Sequence, residues 1–469
     1  MSDTISFAFG DWTVLTVYIG LLAFLAYRAT RRQGAVQDDF LLGGRLLSLP
    51  GFIAALVATW YGGILGVGEF TYLYGIANWF VFGFPYYIFA LVFALFFARK
   101  VRESEVYSIS DMLYETYDRK TGMFGSAIVF FVSSPAPYML MLAILVQVFT
   151  GLDLLPALLI SAVITIAYVY WGGFRALVST DILQFGLMFL GFIVLLGFLF
   201  AEHGIVPFLT DNLPPLHFSL TGGNSWQYIV VWFFIALWTL ISPPFHQFTL
   251  SAKDAPTARR GIFISIGFWM VFDTITTLSG LYARALLPGI EDPALAFPLL
   301  AETALPEIAK GIFYVGMLGT IMSTVDGFAF VSAITVGRDM IARWKDDLSE
   351  QFVDKHTKTG LIVTAVVSVV SVLLFPSIVN LWYVIGTLFI PPLLLPIVTS
   401  YYSKFRITAG LTFISMVMGF AVALIIFTIG QLNALEGTAQ YPFGIEPMYP
   451  GLVVSIGIYI VGNLMKSRS

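Results

Sequence analysis

Thirteen mostly apolar stretches of roughly bilayer length, separated by short polar connectors, fill this chain. They run over 11–29, 50–77, 78–98, 123–150, 153–171, 178–201, 225–250, 260–287, 309–336, 360–379, 380–402, 408–431 and 448–465. A helix of about 20 apolar residues crosses the hydrocarbon core of a bilayer. Inside lipid every backbone N–H and C=O must be paired within the protein, which leaves helices as the natural spanning form here. The pattern predicts an all-α polytopic membrane protein with 13 transmembrane helices. Composition agrees, because only 11% of the 469 residues are charged, against about 25% in soluble domains. A soluble chain of this size could not cover so much apolar surface, whereas a lipid bilayer is a partner that removes the need.

Charge placement tests the count. With the N-terminus outside and each stretch crossing once, 22 of the 24 Lys and Arg residues fall on one side, with Arg284 and Lys310 alone on the other. Positive residues accumulate on the cytoplasmic side, so the C-terminus is expected in the cytoplasm of a bacterial-type inner (plasma) membrane. The amino-terminal MSDTISFAFGDW carries no basic region or cleavage site, and no removable signal peptide is expected. A net charge of −4 gives no field for nucleic acid. Cysteine is absent and the four histidines are scattered, which argues against disulfides, thiol catalysis and a Cys- or His-based metal cluster. No G-x-x-x-x-G-K-[ST] or H-E-x-x-H motif is present and no Ser/His/Asp grouping stands out, so an ATP-driven pump or a membrane enzyme is disfavoured. The Pro-, Gly- and aromatic-rich connectors 202–224 and 432–450 read as lids or as ordinary connectors.

Helix breakers inside the stretches carry the functional signal. Irregular backbone at membrane depth is tolerated only where it lines a cavity or packs within protein, and broken helices expose carbonyls that bind cations. The second stretch holds Gly62, Gly63, Gly66 and Gly68 within seven residues, followed by Glu69. The glycines read either as a break or as a site of close helix packing. A charged residue within a span is a functional candidate. The seventh stretch holds Ser242, Pro243, Pro244 and His246, and proline both removes a donor and clashes with the preceding turn. The ninth places Thr320, Ser323 and Thr324 on one helix face, with Asp326 just beyond. These hydroxyls suit an alkali cation, or simply bond back to their own helix.

Four segments then resemble a known family: DDFLLGGRLLSLPGFIAALVATWYGG (38–63), WGGFRALVSTDILQ (171–184), HQFTLSAKDAPTARRG (246–261) and MSTVDGFAFVSAITVGRDM (322–340). In order and spacing they are similar to the sodium:solute symporter family, which includes proline permeases and sodium–sugar cotransporters. The resemblance implies a leucine-transporter-like fold. It would comprise a leading helix and loop (11–49), an inverted five-plus-five repeat (50–201 and 225–402) and two trailing helices (408–465). It implies Na+ as the coupling ion, held by the carbonyls of Ala58, Tyr61 and Thr320 and the hydroxyls of Ser323 and Thr324. Leu56 and Thr59 are the alternative carbonyl pair. Asp181, with Thr320, would supply a second sodium site, or else is a structural acid.

The resemblance leaves the solute open among sugars and polyols, amino acids and similar small molecules. Apart from His246, the ionisable residues well inside spans are acidic: Glu69, Asp273 and Asp326. That disfavours a simple anion and favours a neutral polyol, a zwitterion or an amine. Trp60, Glu69, Tyr72, Trp238, His246 and Tyr383 are the substrate-binding candidates, since aromatic rings stack on sugars and on cationic head groups. The expected function is sodium-coupled symport by alternating access. Proton coupling through Glu69 or Asp181 is one alternative. A transporter-like sensor is another, disfavoured because no signalling domain follows the last span.

Overall fold

The computed structural model describes residues 5–31, 37–435 and 439–467, and within them regular structure is helical apart from an isolated bridge between Leu47 and Ala252. Arg32 and Arg468, both used in the charge reading, lie outside the described residues. Among the described residues eleven helices are long and apolar enough to cross a membrane, and the pair Leu49–Trp60 and Ile64–Tyr74, bent by 57°, makes a twelfth span. Twelve of the thirteen expected stretches are accounted for. The remaining stretch, 153–171, is the first part of a helix that runs from Leu154 to His203 and kinks where Gly173 adopts φ 54°.

Element boundaries shift for local reasons. The tenth span starts at Glu350 rather than 360, because its polar first turns form regular helix, supported by Lys358 reaching Asp354 at 2.8 Å one turn away. It ends at Leu374, and Ser377 caps the next helix, Ile378–Ser400, by accepting from the Asn380 N–H. The tenth and eleventh spans are therefore separate helices, not one run.

The centre of the molecule is the helix Ala309–Ile334, whose apolar window is entirely enclosed by other elements. It lies so close to Leu154–His203 that a Cβ on Gly316 would stand 2.7 Å from the Leu187 carbonyl, and one on Gly191 3.2 Å from the Phe313 Cα. Small residues at such crossings let backbones approach, which is how helices associate where lipid is as apolar as the side chains. The 202–224 connector folds over one end of the first broken span. The His217 ring meets the Tyr72 carbonyl at 3.0 Å, and Ile76 N–H donates to the His217 carbonyl at 2.9 Å. Gly75 sits beneath with φ 63°, where a side chain would strike the His217 backbone.

Beyond Ile334 the central helix continues as a π-turn, Thr335–Ala342, into a buried ionic cluster. Arg338 binds Asp111 at 2.8 Å and Asp339 at 3.0 Å, and Arg343 binds Asp111 at 2.5 Å. Ser108 donates to Asp339 at 2.7 Å. Burial alone would raise the Asp111 pKa, but the two guanidinium groups outweigh it and hold the carboxyl below its usual value. A depressed carboxylate pKa contributes stability that is present above the unfolded value of about 4 and lost as pH falls through the folded one. Asp111→Asn, which removes the carboxylate shared by the buried Arg338 and the half-buried Arg343, is expected to cost about 3 kcal/mol. The check is the thermal midpoint in detergent near neutral pH; a midpoint within a degree of the parent would disprove the role of this cluster.

Candidate functional site

The first broken span sets up the site. Leu49–Trp60 ends at Tyr61, Ile64–Tyr74 begins after Gly63, and neither glycine of the break has positive φ. What demands glycine here is proximity. A Cβ on Gly62 would occupy the space of the Thr324 side chain, and Cβ atoms on Gly63 and Gly66 would come within 2.7 and 2.8 Å of Trp382. Both readings of the glycine run therefore hold at once: the helix breaks at 61–63, and its glycines are packing sites.

The break weakens the helical hydrogen-bond ladder. The Ala58 carbonyl receives the Tyr61 N–H at a long 3.4 Å, an i+3 bond in place of the regular one. Thr324 Oγ1 donates to the Thr59 carbonyl at 2.8 Å and has the carbonyls of Ala58 and Thr320 at 3.4 and 3.3 Å. Beside it, Ser323 Oγ donates to Asp181 Oδ1 at 2.6 Å and lies 3.2 Å from Thr59 Oγ1. All of these residues are buried, and the second oxygens of Asp181 and Asp326 have no hydrogen-bond partner. The result is an oxygen-rich, dry cluster with an unmatched carboxylate, the donor set that a hard monovalent cation requires.

The structure thus brings together Ala58, Thr320, Ser323, Thr324 and Asp181. Thr59, from the alternative carbonyl pair, lies closer to Thr324 than Ala58 does. The Thr320 hydroxyl bonds back to the Gly316 carbonyl at 2.7 Å, so its backbone oxygen, not its side chain, faces Thr324. The Tyr61 side chain turns the other way, donating to Asp273 and lying 2.8 Å from Thr276 Oγ1. The first helix of the chain closes the back of the cluster, with Gln184 donating to the Tyr18 hydroxyl at 3.2 Å.

On the opposite side of the break lies a cavity of about 880 Å³, mouth included. Five of the chain's ten tryptophans line it: Trp60, Trp232, Trp238, Trp269 and Trp382. Of the substrate-binding candidates, Trp60 and Trp238 line it. Glu69, Tyr72, His246 and Tyr383 do not line the cavity, and each is engaged elsewhere or set apart. Tyr72 donates to the Leu287 carbonyl at 2.6 Å beneath the Arg284 guanidinium. His246 binds the Leu240 carbonyl at 3.0 Å and faces the Tyr401 hydroxyl at 3.4 Å. It thereby satisfies the backbone at the second break, where Ser242 leaves helical geometry ahead of Pro243 and Pro244. Tyr383 donates to Glu446 in the 432–450 connector. Glu69 is half-buried outside the cavity.

One residue missed as a binding candidate is central. Asp273 lines the cavity and accepts hydrogen bonds from the hydroxyls of both Tyr61 and Tyr87. Its signal was in the sequence: Trp269, Asp273, Thr276, Thr277 and Gly280 follow helical spacing and form a buried stripe on Ala255–Leu286.

Comparison with known proteins agrees with this geometry. The model of the sodium:solute symporter family matches residues 40–419. The chain is 25% identical to the sodium/pantothenate symporter of Haemophilus influenzae, covering 97% of this chain and 95% of that one. It is 22% identical to high-affinity choline transporter 1 of Drosophila melanogaster, covering 80% of this chain and 63% of that one. Its fold matches a substrate-bound, outward-open Na+-coupled sialic acid symporter with a TM-score of 0.81 at 17% identity, over 99% and 98% of the two chains.

Gly62→Ala drives a methyl group into Thr324 and is expected to destabilise by about 1–3 kcal/mol. Thermal unfolding in detergent measures this. An unchanged midpoint would mean that the two helices do not meet at this distance.

Proposed function

The chain belongs to the sodium:solute symporter family, and we propose that it couples inward sodium movement to uptake of a small organic solute by alternating access, with the ion at the cation cluster and the solute in the adjoining aromatic cavity. The observation that carries this is the shared break. The same three residues, 61–63, separate oxygens gathered around Thr324 from rings gathered around Asp273. A cation bound to Ala58, Thr59, Thr320, Ser323 and Thr324 fixes the angle between the two half-helices. Tyr61 and Trp60, at the end of the first half, are then set for the solute. Binding at one site thus lowers the cost of binding at the other, which is the meaning of coupling. The membrane potential contributes about 2.3 kcal/mol per sodium charge per 100 mV.

The organisation follows: a leading helix, repeats at 50–201 and 225–402, each opening on a broken span, and two trailing helices. The N-terminus lies outside and the C-terminus in the cytoplasm of a bacterial inner membrane. That placement is supported by the charge asymmetry, and the chain has bacterial relatives. Asp181 supplies a second sodium position, supported by its unpartnered oxygen beside Ser323. The relatives' names span an acid and a quaternary amine and do not by themselves choose the solute.

Thermal shift and uptake in proteoliposomes test the reading. Sodium, but not potassium, is expected to raise the melting temperature and to drive uptake. The double variant Ser323→Ala/Thr324→Val is expected to raise the half-saturating sodium concentration at least tenfold. Uptake that ignores sodium and follows pH would select proton coupling instead. Sigmoidal sodium dependence that becomes hyperbolic in Asp181→Asn is the expected mark of the second ion; hyperbolic dependence in the parent protein would exclude it.

A further inference from the structure

The aromatic cavity has a composition that selects among solutes. Trp60 lies edge-on to Tyr86 at 5.9 Å and tilted to Trp269 at 6.0 Å between ring centroids. Across the space, Tyr138 is 6.3 Å from Trp382, and Phe82 is 4.6 Å from Trp232. Rings set at such angles around a space make a box that presents negative π faces from several directions. Among the described residues no Lys, Arg or His lines it, and Asp273 is the sole charged residue that does. The phenols of Tyr61 and Tyr87 are already spent on that carboxylate; Tyr86 and Tyr138 are the other lining phenols, and among the described residues no Ser, Thr, Asn or Gln lines the cavity. The buried indole N–H of Trp269, by contrast, has no hydrogen-bond partner.

Each candidate class meets this box differently. A carboxylate solute would face Asp273 with no counter-charge, and burying like charges together is costly. A polyol would find the phenols of Tyr86 and Tyr138 and indole N–H groups, but would leave the Asp273 charge without a counter-charge. An ammonium ion supplies the missing positive charge to Asp273. Its methyl groups lie against the rings, and cation–π attraction strengthens as water is excluded. An oxygen on the same molecule would accept from the Trp269 N–H.

We propose that the solute is an organic ammonium ion, methylated at nitrogen and carrying a nearby oxygen acceptor, held in the aromatic box with Asp273 as its counter-charge. This rests on the symport reading above. The experiment is thermal shift of the purified full-length protein with choline, tetramethylammonium and glycine betaine, against mannitol and propionate, each in sodium and in potassium buffer. Choline is expected to stabilise in sodium only, and to bind more tightly than tetramethylammonium, which lacks the oxygen. Trp60→Leu and Asp273→Asn are expected to weaken choline at least tenfold while the stabilisation by sodium alone is retained, which shows that the variants are folded. Trp60→Phe is expected to recover most of the loss. Stabilisation by mannitol or propionate in sodium, with none by the ammonium compounds, would overturn the assignment and leave sodium symport standing. Absence of any sodium-dependent stabilisation would overturn both. Choline binding unaffected by Trp60→Leu and Asp273→Asn would place the ammonium site elsewhere and overturn the box.

Discussion

The architecture turns on one close approach. Where the first broken span meets the central helix, Gly62 faces Thr324 with no room for a side chain, and a Cβ on Gly327 would stand 2.6 Å from the Thr59 side chain. A Cβ on either glycine would push the helices apart, and the backbone oxygens would then have nothing to face. With both glycines in place, a hydroxyl reaches across to backbone oxygens at a broken stretch of helix. In lipid such oxygens have no water to turn to, so an unmet one costs on the order of 1–3 kcal/mol. The break is stable because the neighbouring helix supplies its partners, and that neighbour is rigid because other elements bury it on all sides.

The second break is closed differently. At Ser242 the prolines remove donors, and a histidine from the next turn fills the gap by bonding the Leu240 carbonyl. One break is thus sealed by its own side chain, while the other is left facing hydroxyls and a carboxylate with an unmet oxygen. The sealed break is closed by the protein itself, and the open one is where the cation is proposed to bind. His246 belongs to the first category for this reason, although its position beside two prolines made it look like a ligand.

Much of this was legible in the sequence where the signal was one-dimensional. Twelve of the spans follow from apolar length, and both breaks follow from glycine and proline clustering. Thr320, Ser323 and Thr324 follow from helical spacing. Three things were not. The 153–171 and 178–201 stretches read as separate segments, whereas one helix runs from Leu154 to His203 and only bends at Gly173. The partner of Thr324 depends on the rotation of a helix end, and a rotation of one residue exchanges Ala58 for Thr59. Membership of the cavity depends on which aromatics face each other across seven spans. Tyr72 and Tyr383 are indistinguishable by type from Tyr61 and Tyr87. They were separated only by partners far away in sequence, at Leu287 and Glu446. Asp273 was noticed as a buried acid, and the stripe around it, from Trp269 to Gly280, was the further clue.

The 202–224 connector has a mechanical implication. Its His217 is clasped at both ends to the second half of the first broken span and the chain that leaves it, by its ring to Tyr72 and by its carbonyl to Ile76. Gly75, pressed under that carbonyl, leaves no slack between them. If the half-helix tilts, the connector must travel with it as a single piece, like a hatch on a fixed hinge. An antibody fragment or nanobody gripping the surface of this connector would then arrest the rocking of the bundle without ever touching the ion or the solute.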